Sequence, residues 1–353
     1  MVRLKDIAEK AGVSVMTVSK VMRDAPDISA ATKARVRALA QQMGYLPNSQ
    51  AQGLRTRTTK LFGLIISAIT NPIFARVVMA IEERAHELGY EIILSHTLNI
   101  PEREDAAIRR LISRRVDGLF VSPVYRLGPT APIYQELHRC GIPTVVLGHQ
   151  APFCSQFVNI EADDIQASVV ATQHLLELGH NRIAFLAGPS VSPWAQERFE
   201  GHRRALREAN LEVDDSLVFT AGSTIEEGEK AALQMLNEAA DASAVLAVND
   251  LVAIGAATIF LNQGIRIPAD LSIVGFGNVL MSEYFRVPLT TIRQPKYRMG
   301  VAAMNSMLRL LRGERPEPTR LTAEIVIRAS TAAPSTSHLA PRNPVEKVGT
   351  QTP

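Results

Sequence analysis

From residue 61 to residue 276 the chain alternates short aliphatic runs with helix-length segments, and few architectures accept that rhythm. The runs fall at 61–67, 90–95, 117–121, 143–147, 182–187, 244–248 and 271–276. Between and after them lie segments of helical length near 74–88, 102–114, 132–140, 164–178, 195–209, 226–239 and 250–263. A βαβα order of this kind predicts parallel sheets covered by helices. It is long enough for two doubly wound units. In such units ligands bind beyond the carboxyl ends of the strands, so the residues just after each run are the binding candidates.

The first 46 residues follow a different pattern. Leu4, Ile7, Ala8 and Ala11 fall on one face of a short helix, and Gly12 stops it. Ser14 can cap a second helix whose Val18, Val21 and Met22 face inward. Ser29 can cap a third, with Val36, Leu39, Ala40 and Met43 as its apolar stripe and Gly44 at its end. Three short helices, the first two joined by a tight glycine turn, predict a small all-α helix-turn-helix unit over 1–46. The second helix then presents Val15, Met16, Ser19 and Lys20 outward. Exposed Val15 and Met16 suit thymine methyls or another apolar base edge, or they pack within the head. Arg3, Lys5, Lys10 and Thr17 suit phosphate contacts, which position without reading sequence.

Charge supports a split. Residues 1–60 hold 11 Lys/Arg against 4 Asp/Glu, while the rest of the chain holds 27 against 31. A basic head on a mildly acidic body is the asymmetry of a nucleic-acid-binding module joined to another function, or of a solvated basic surface. Residues 47–60 are polar, basic and poor in core formers, and Gly53 weakens any helix there unless a partner supports it. The tail 331–353 carries four prolines and few aliphatics, and is expected to be disordered.

Other functions find little footing. Two cysteines, Cys140 and Cys154, make neither a disulfide framework nor a cysteine-only zinc site. The eight histidines lack metal-ligand spacing, and nucleophile-elbow and P-loop patterns are absent. Neither an enzyme nor a metal or other cofactor is expected. Asp163-Asp164 read as acids opening a helix rather than as a catalytic pair. No apolar run approaches the ~18 residues that span a bilayer, and the first residues lack a signal-peptide core. A cytoplasmic protein without a membrane partner is the expectation.

The motifs resemble the LacI/GalR (lactose-repressor/galactose-repressor) family of bacterial transcription regulators. The similarity begins in Leu4-Lys-Asp-Ile-Ala-Glu-Lys-Ala-Gly-Val-Ser-Val-Met-Thr-Val-Ser-Lys-Val-Met22. It continues through Gly44-Tyr-Leu-Pro-Asn48, Ala51 and Leu54, then Asn71-Pro-Ile-Phe74, Arg114-Arg-Val-Asp-Gly118 and Leu178-Gly-His-Asn-Arg-Ile-Ala184. Arg198-Phe-Glu-Gly201, Asn249-Asp250, Val274-Gly-Phe276 and Pro288-Leu-Thr-Thr-Ile-Arg-Gln-Pro295 complete it. The resemblance implies a periplasmic-binding-protein-like clamshell of two doubly wound parallel-sheet subdomains behind the head. It places an N-subdomain at 61–160 and 292–322, and a C-subdomain at 161–291 and 323–330. It further implies a homodimer on a near-palindromic double-stranded DNA operator, with 47–60 folding as a hinge helix on the DNA. Leu54 would wedge into the minor groove, with Asn48, Ala51 and Arg55 beside it. Gln52 stands where many members carry Arg.

A small polar effector, a sugar or sugar-like molecule, would lie between the lobes and shift their angle. The candidates are Asn71, Phe74, Ser122, Tyr125, His149, Trp194, Arg198, Asn249, Asp250 and Asn278. An Asp accepts two hydroxyls and an Arg donates a fork of hydrogen bonds, so Asp250 and Arg198 suit a polyol. Phe74 and Trp194 offer stacking faces, or serve as core and lobe edge; Asp250 can instead open its helix. Two departures touch the pocket. Gly277-Asn278 stands where members usually carry Asp or Glu followed by Asp or Asn, which removes a carboxylate, and Gly148-His149 stands where many carry an Asp-Arg pair. A transport-type binding protein shares the clamshell but would need an export signal and no basic head.

Overall fold

The computed structural model describes residues 2–45, 58–239 and 241–334. The chain forms two units, Met1–Thr59 and Lys60–Pro353.

In the first unit, α1 (Leu4–Ala11), α2 (Val15–Met22) and α3 (Ala30–Gln42) enclose Ile7, Ala8, Ala11, Val18, Val21, Val36 and Ala40. Gly12 ends α1 at φ 66°, a left-handed turn that a side chain resists. Ser14 caps α2 by accepting from the Thr17 amide at 3.0 Å. Ser29 caps α3 by accepting from that of Thr32. Leu39, Met43 and Met22 are only partly buried at the edge of this core.

The second unit contains two six-stranded sheets. The first combines β1 (Leu61–Ile66), β2 (Glu91–His96), β3 (Gly118–Val121), β4 (Thr144–Leu147), β5 (Val158–Ala162) and β11 (Thr319–Leu321), in the order β11-β5-β4-β3-β1-β2, all parallel. The second combines β6 (Ile183–Ala187), β7 (Val218–Thr220), β8 (Ala244–Ala247), β9 (Ser272–Gly277), β10 (Thr290–Arg293) and β12 (Glu324–Val326), in the order β12-β10-β9-β8-β6-β7. Only β12 runs antiparallel, against β10.

Both faces of the central strands are buried, which is why they read as unbroken apolar runs and not as alternation. In β1, Phe62, Leu64 and Ile66 pack into one core with α4 (Pro72–Glu87) and α12 (Lys296–Leu311). Ile65 faces the other, with α5 (Pro101–Ser113) and α6 (Pro132–Arg139). The second sheet is covered likewise, by α7 (Asp164–Glu177) and α8 (Pro193–Glu208) on one side. On its other side lie α9 (Ile225–Glu238) and α10 (Asp250–Asn262).

The chain passes between the sheets three times: from β5 to α7, from β10 to α12, and from β11 to β12. The middle passage falls at Gln294-Pro295, two residues beyond the expected boundary at 292. The ordered body also runs past residue 330. Ala332 accepts from His180 Nε2 at 2.8 Å and donates to Ser272 Oγ at 3.1 Å, and Thr331 Oγ1 lies 3.0 Å from His174 Nε2. The start of the expected disordered tail is thus tied to the second lobe. Residues 335–353 lie outside the described set.

Candidate functional site

A cavity of about 340 Å³ opens beyond the carboxyl ends of both sheets. Nine of the ten candidates line it: Asn71, Phe74, Ser122, Tyr125, His149, Trp194, Arg198, Asn249 and Asp250. The tenth, Asn278, does not. Its backbone sits at φ 50°, and its Oδ1 accepts from Arg328 Nη2 at 2.7 Å, so the amide oxygen is engaged by Arg328.

The polar candidates are placed by helix starts. Asn71 caps α4 by accepting from the Ile73 amide at 3.1 Å. Asn249 caps α10, accepting from Val252 at 2.8 Å and donating to the Ser223 carbonyl at 3.1 Å. Asp163 caps α7, accepting from Gln166. In the last two cases the next residue is a buried acid, Asp164 or Asp250, each 1% exposed. The capping residue satisfies the helix end, and its neighbour turns inward with its charge.

Arg198 and Asp250, the two groups suited to a polyol, line the cavity and both also hold partners within the protein. Asp250 Oδ2 accepts from the Val279 amide at 2.8 Å and Ser282 Oγ at 2.6 Å, and its Oδ1 accepts from Thr291 Oγ1 at 2.5 Å. It ties α10 to the β9–α11 turn (α11, Leu280–Tyr284) and to β10. Burial pushes its carboxyl up, against those hydrogen bonds and the charge of Lys296. Lys296 is itself held down to about 8 by burial, and donates to the carbonyls of Gly277 and Asn278.

Arg198 donates to Asp164 Oδ1 from Nε at 3.1 Å and from Nη2 at 3.0 Å, and to the Val248 carbonyl from Nη1 at 2.7 Å. Its guanidinium lies 3.7 Å from the Phe276 ring centroid and 4.8 Å from that of Trp194. Trp194 therefore braces Arg198 and walls the cavity together. Phe74 likewise packs against the first-lobe core while lining the cavity.

His149 is buried. Its Nε2 lies 3.0 Å from Glu197 Oε2 and 3.6 Å from Asp164 Oδ2, and its carbonyl accepts from Tyr125 Oη at 2.8 Å. Burial opposes its charge. The hydrogen bond to Glu197 and the carboxylates of Asp164, Glu197 and Glu161 outweigh burial and raise its pKa. Asp164 is pushed up by burial, against Arg198 and His149.

Sequence reasoning missed Glu197, Phe276 and Gln294, and saw Asp164 only as a helix opener. Gln294 is 8% exposed, lines the cavity, and its Oε1 has no hydrogen-bond partner among the described residues. Gln294 lies in the Pro288–Pro295 motif, but its place between β10 and α12 emerges only once the middle passage is known.

On the head, Val15 and Met16 are 45% and 63% exposed. Ser19 and Lys20 are half-buried. Lys20 pairs with Asp27, and Thr17 Oγ1 hydrogen-bonds Ser14 Oγ at 2.9 Å. The hinge candidates Asn48, Ala51, Leu54 and Arg55 lie outside the described residues.

Comparison with known proteins follows the same division. Residues 3–48 match the model for bacterial regulatory proteins of the lacI family, and 172–331 match a periplasmic binding protein-like domain. The HTH-type transcriptional regulator DegA of Bacillus subtilis is 32% identical over 329 residues, covering 93% of this chain and 97% of that protein. A lac repressor dimer bound to operator and the anti-inducer ONPF is 30% identical, with a TM-score of 0.83 over 94% of this chain and 99% of that one. The transcriptional regulator CelR in complex with cellobiose is 30% identical, with a TM-score of 0.70 over 94% of this chain and 100% of that one. These relatives are transcription regulators, not enzymes, and the likeness extends over head and body alike. Among the described residues, no helix is long and apolar enough to cross a membrane.

Proposed function

The chain belongs to the LacI family of DNA-binding transcription regulators, and from that premise we propose a repressor that binds a near-palindromic operator as a homodimer and is switched by a small uncharged polar effector. The cavity is the observation that carries the switch. It is walled by both lobes, so whatever fills it senses their relative angle, and a ligand shifts that equilibrium only by its difference in affinity for the two arrangements.

The chemistry of the wall narrows the effector. His149, Asp164, Arg198 and Asp250 already have partners within the protein. What remains for a ligand among the lining residues is neutral, the Asn71 amide nitrogen, Ser122, Ser192 and Gln294 among them, set against the faces of Phe74 and Trp194. That set suits a sugar or sugar-like molecule with one apolar face, and among the described residues it offers no unpaired cation to a phosphate. CelR, whose structure holds cellobiose, is a relative with a ligand of that kind.

On the head, exposed Val15 and Met16 support base contact, and Lys20 supplies a cation whose exposed pairing with Asp27 a phosphate can displace. Exposed Leu280, Met281 and Tyr284, all on α11, support a two-fold partner. Operator selection from a random DNA pool with full-length protein tests this reading, repeated with neutral sugars, nucleosides and sugar phosphates. A selected palindrome released by one neutral compound is the expected result. A palindrome released only by a phosphorylated compound overturns the effector class, and no selected sequence overturns the DNA-reading role.

A further inference from the structure

The groups around His149 come from both lobes. From the first lobe come His149 itself, after β4, with Glu161 on β5 and Arg320 on β11. From the second come Asp163 and Asp164 at the start of α7, and Glu197 and Arg198 on α8. Arg320 pairs with Glu197, lies 3.2 Å from Glu161 and 3.9 Å from Asp163. Neutral neighbours complete the surroundings. Tyr125 holds the His149 carbonyl, and Asn159 donates to Glu161 at 2.7 Å and to the Gly148 carbonyl at 3.2 Å. Four carboxylates thus outnumber two guanidiniums, and a protonated imidazole would offset one of the two excess charges.

We infer that His149 is a proton-operated latch between the lobes: protonated, it clamps the clamshell shut through Glu197 and Asp164, and deprotonated, it lets the lobes part. The inference rests on the effector-switched clamshell proposed above. Separating the lobes removes both second-lobe carboxylates from Nε2, so the closed arrangement holds the proton more tightly than the open one. Proton binding and lobe closure are then reciprocally linked. A neutral imidazole can still donate from Nε2 to Glu197, which makes the charge, and not the hydrogen bond alone, the pH-dependent part. The sign follows from the raised pKa of His149. Closure is favoured in full below the ordinary histidine value and is lost as pH rises through the raised one. The same side chain lines the cavity, so effector affinity would carry the same pH dependence.

The latch is tested on the full-length protein with no DNA and no added compound. Spin labels at the exposed Cys140 of the first lobe and at Glu238→Cys on α9 of the second report the distance between lobes. Labelled chains are diluted with unlabelled ones so that only distances within a protomer are read. The distance should lengthen as pH rises from about 5.5 to about 8.5, with a midpoint above the usual histidine value of ~6.5. Selective labelling of histidine should place the imidazole titration of His149 at that same midpoint. His149→Gln should abolish the pH dependence, and Glu197→Gln should move the midpoint down. A distance that ignores pH, or an unchanged midpoint in Glu197→Gln, overturns the latch even if His149→Gln fails to fold. Failure of operator selection leaves this measurement intact, since it involves no DNA.

Discussion

Asp164 and Asp250 stand at matching places, each second in a cap-then-acid pair at a helix start, and each closes on partners distant in sequence. Asp250 reaches Ser282 and Thr291, 32 and 41 residues away, and Asp164 reaches Arg198, 34 away. Removing such a carboxylate strands its donors in a dry site. Asp250→Ala should therefore destabilise the body by about 3 kcal/mol, because Lys296 also loses its counter-charge. Urea unfolding followed by circular dichroism reads this. A variant as stable as the parent, but blind to effector, would return Asp250 to the role of a ligand contact. His202 gives a second residue-scale expectation. It is 3% exposed, hydrogen-bonds Thr172 and stacks on Phe185, and burial lowers its pKa to about 4. A histidine held neutral supplies stability that is present above its ordinary value and lost as pH falls from there towards about 4. At one proton, that limb amounts to roughly 3 kcal/mol. His202→Gln should flatten the acid limb of the stability curve by about one proton. It should not erase it, because burial lowers His174 and His180 as well. An unchanged acid slope in this variant would remove His202 from the titration.

At the scale of elements, helices α9 and α10 approach until glycine is the only residue that fits. A Cβ on Gly255 would lie 2.0 Å from the Ile225 carbonyl oxygen, and one on Gly228 2.3 Å from that of Val252. Since the obstacle is backbone, Gly255→Ala should force the pair apart and cost about 1–3 kcal/mol or more. A melting temperature equal to that of the parent would refute this close contact. The head has a smaller margin. Ser14→Ala loses the cap of α2 and about 1 kcal/mol, and should lower the melting of the head with that of the body unchanged. The rhythm of runs and helical segments made most central elements legible, because strands buried on both faces are continuous in apolar character. Strands β5 and β10 escaped, since Asn159 and Glu161 interrupt the run of the first and Ile292 is the only aliphatic residue of the second. Asn159 and Glu161 serve the ionic cluster between the lobes, so the feature that hid β5 belongs to the site. Strands β7, β11 and β12 are three residues each, too short to carry a pattern. Nine of the ten effector candidates line the cavity, and their placing was legible, most from a position soon after a run, and Arg198 and Asp250 also from the family resemblance. Which partner each charge would hold was not, because Asp250, Arg198 and His149 close on residues that only the folded chain brings near.

The molecule as a whole sets a problem of valency that neither unit solves alone. On the proposed palindrome each head of some 45 residues would read one half-site, and phosphate contacts by its basic residues would weaken steeply with salt. Two linked heads raise the affinity because the second binding event becomes intramolecular. The proposed link runs through α11, where Leu280 and Tyr284 are each 76% exposed and Met281 is 47% exposed. Apolar side chains stacked on one short helix are costly in water and cheap against a copy of themselves across a two-fold axis. The carboxylate of Asp250 holds Val279 and Ser282, which flank or form this helix. The cavity wall and the proposed contact surface thus share a brace, and a change in the cavity has a direct physical route to the partner. Leu280→Asp combined with Tyr284→Asp places two carboxylates on each side of the axis without touching a cavity residue. The expected outcome is a shift from dimer to monomer in sedimentation velocity. Affinity for a full palindrome should fall towards that for a single half-site, while half-site affinity stays as it was. A double variant that still sediments as a dimer would move the interface to another face. One that becomes monomeric yet binds the palindrome undiminished would mean that the two heads act independently.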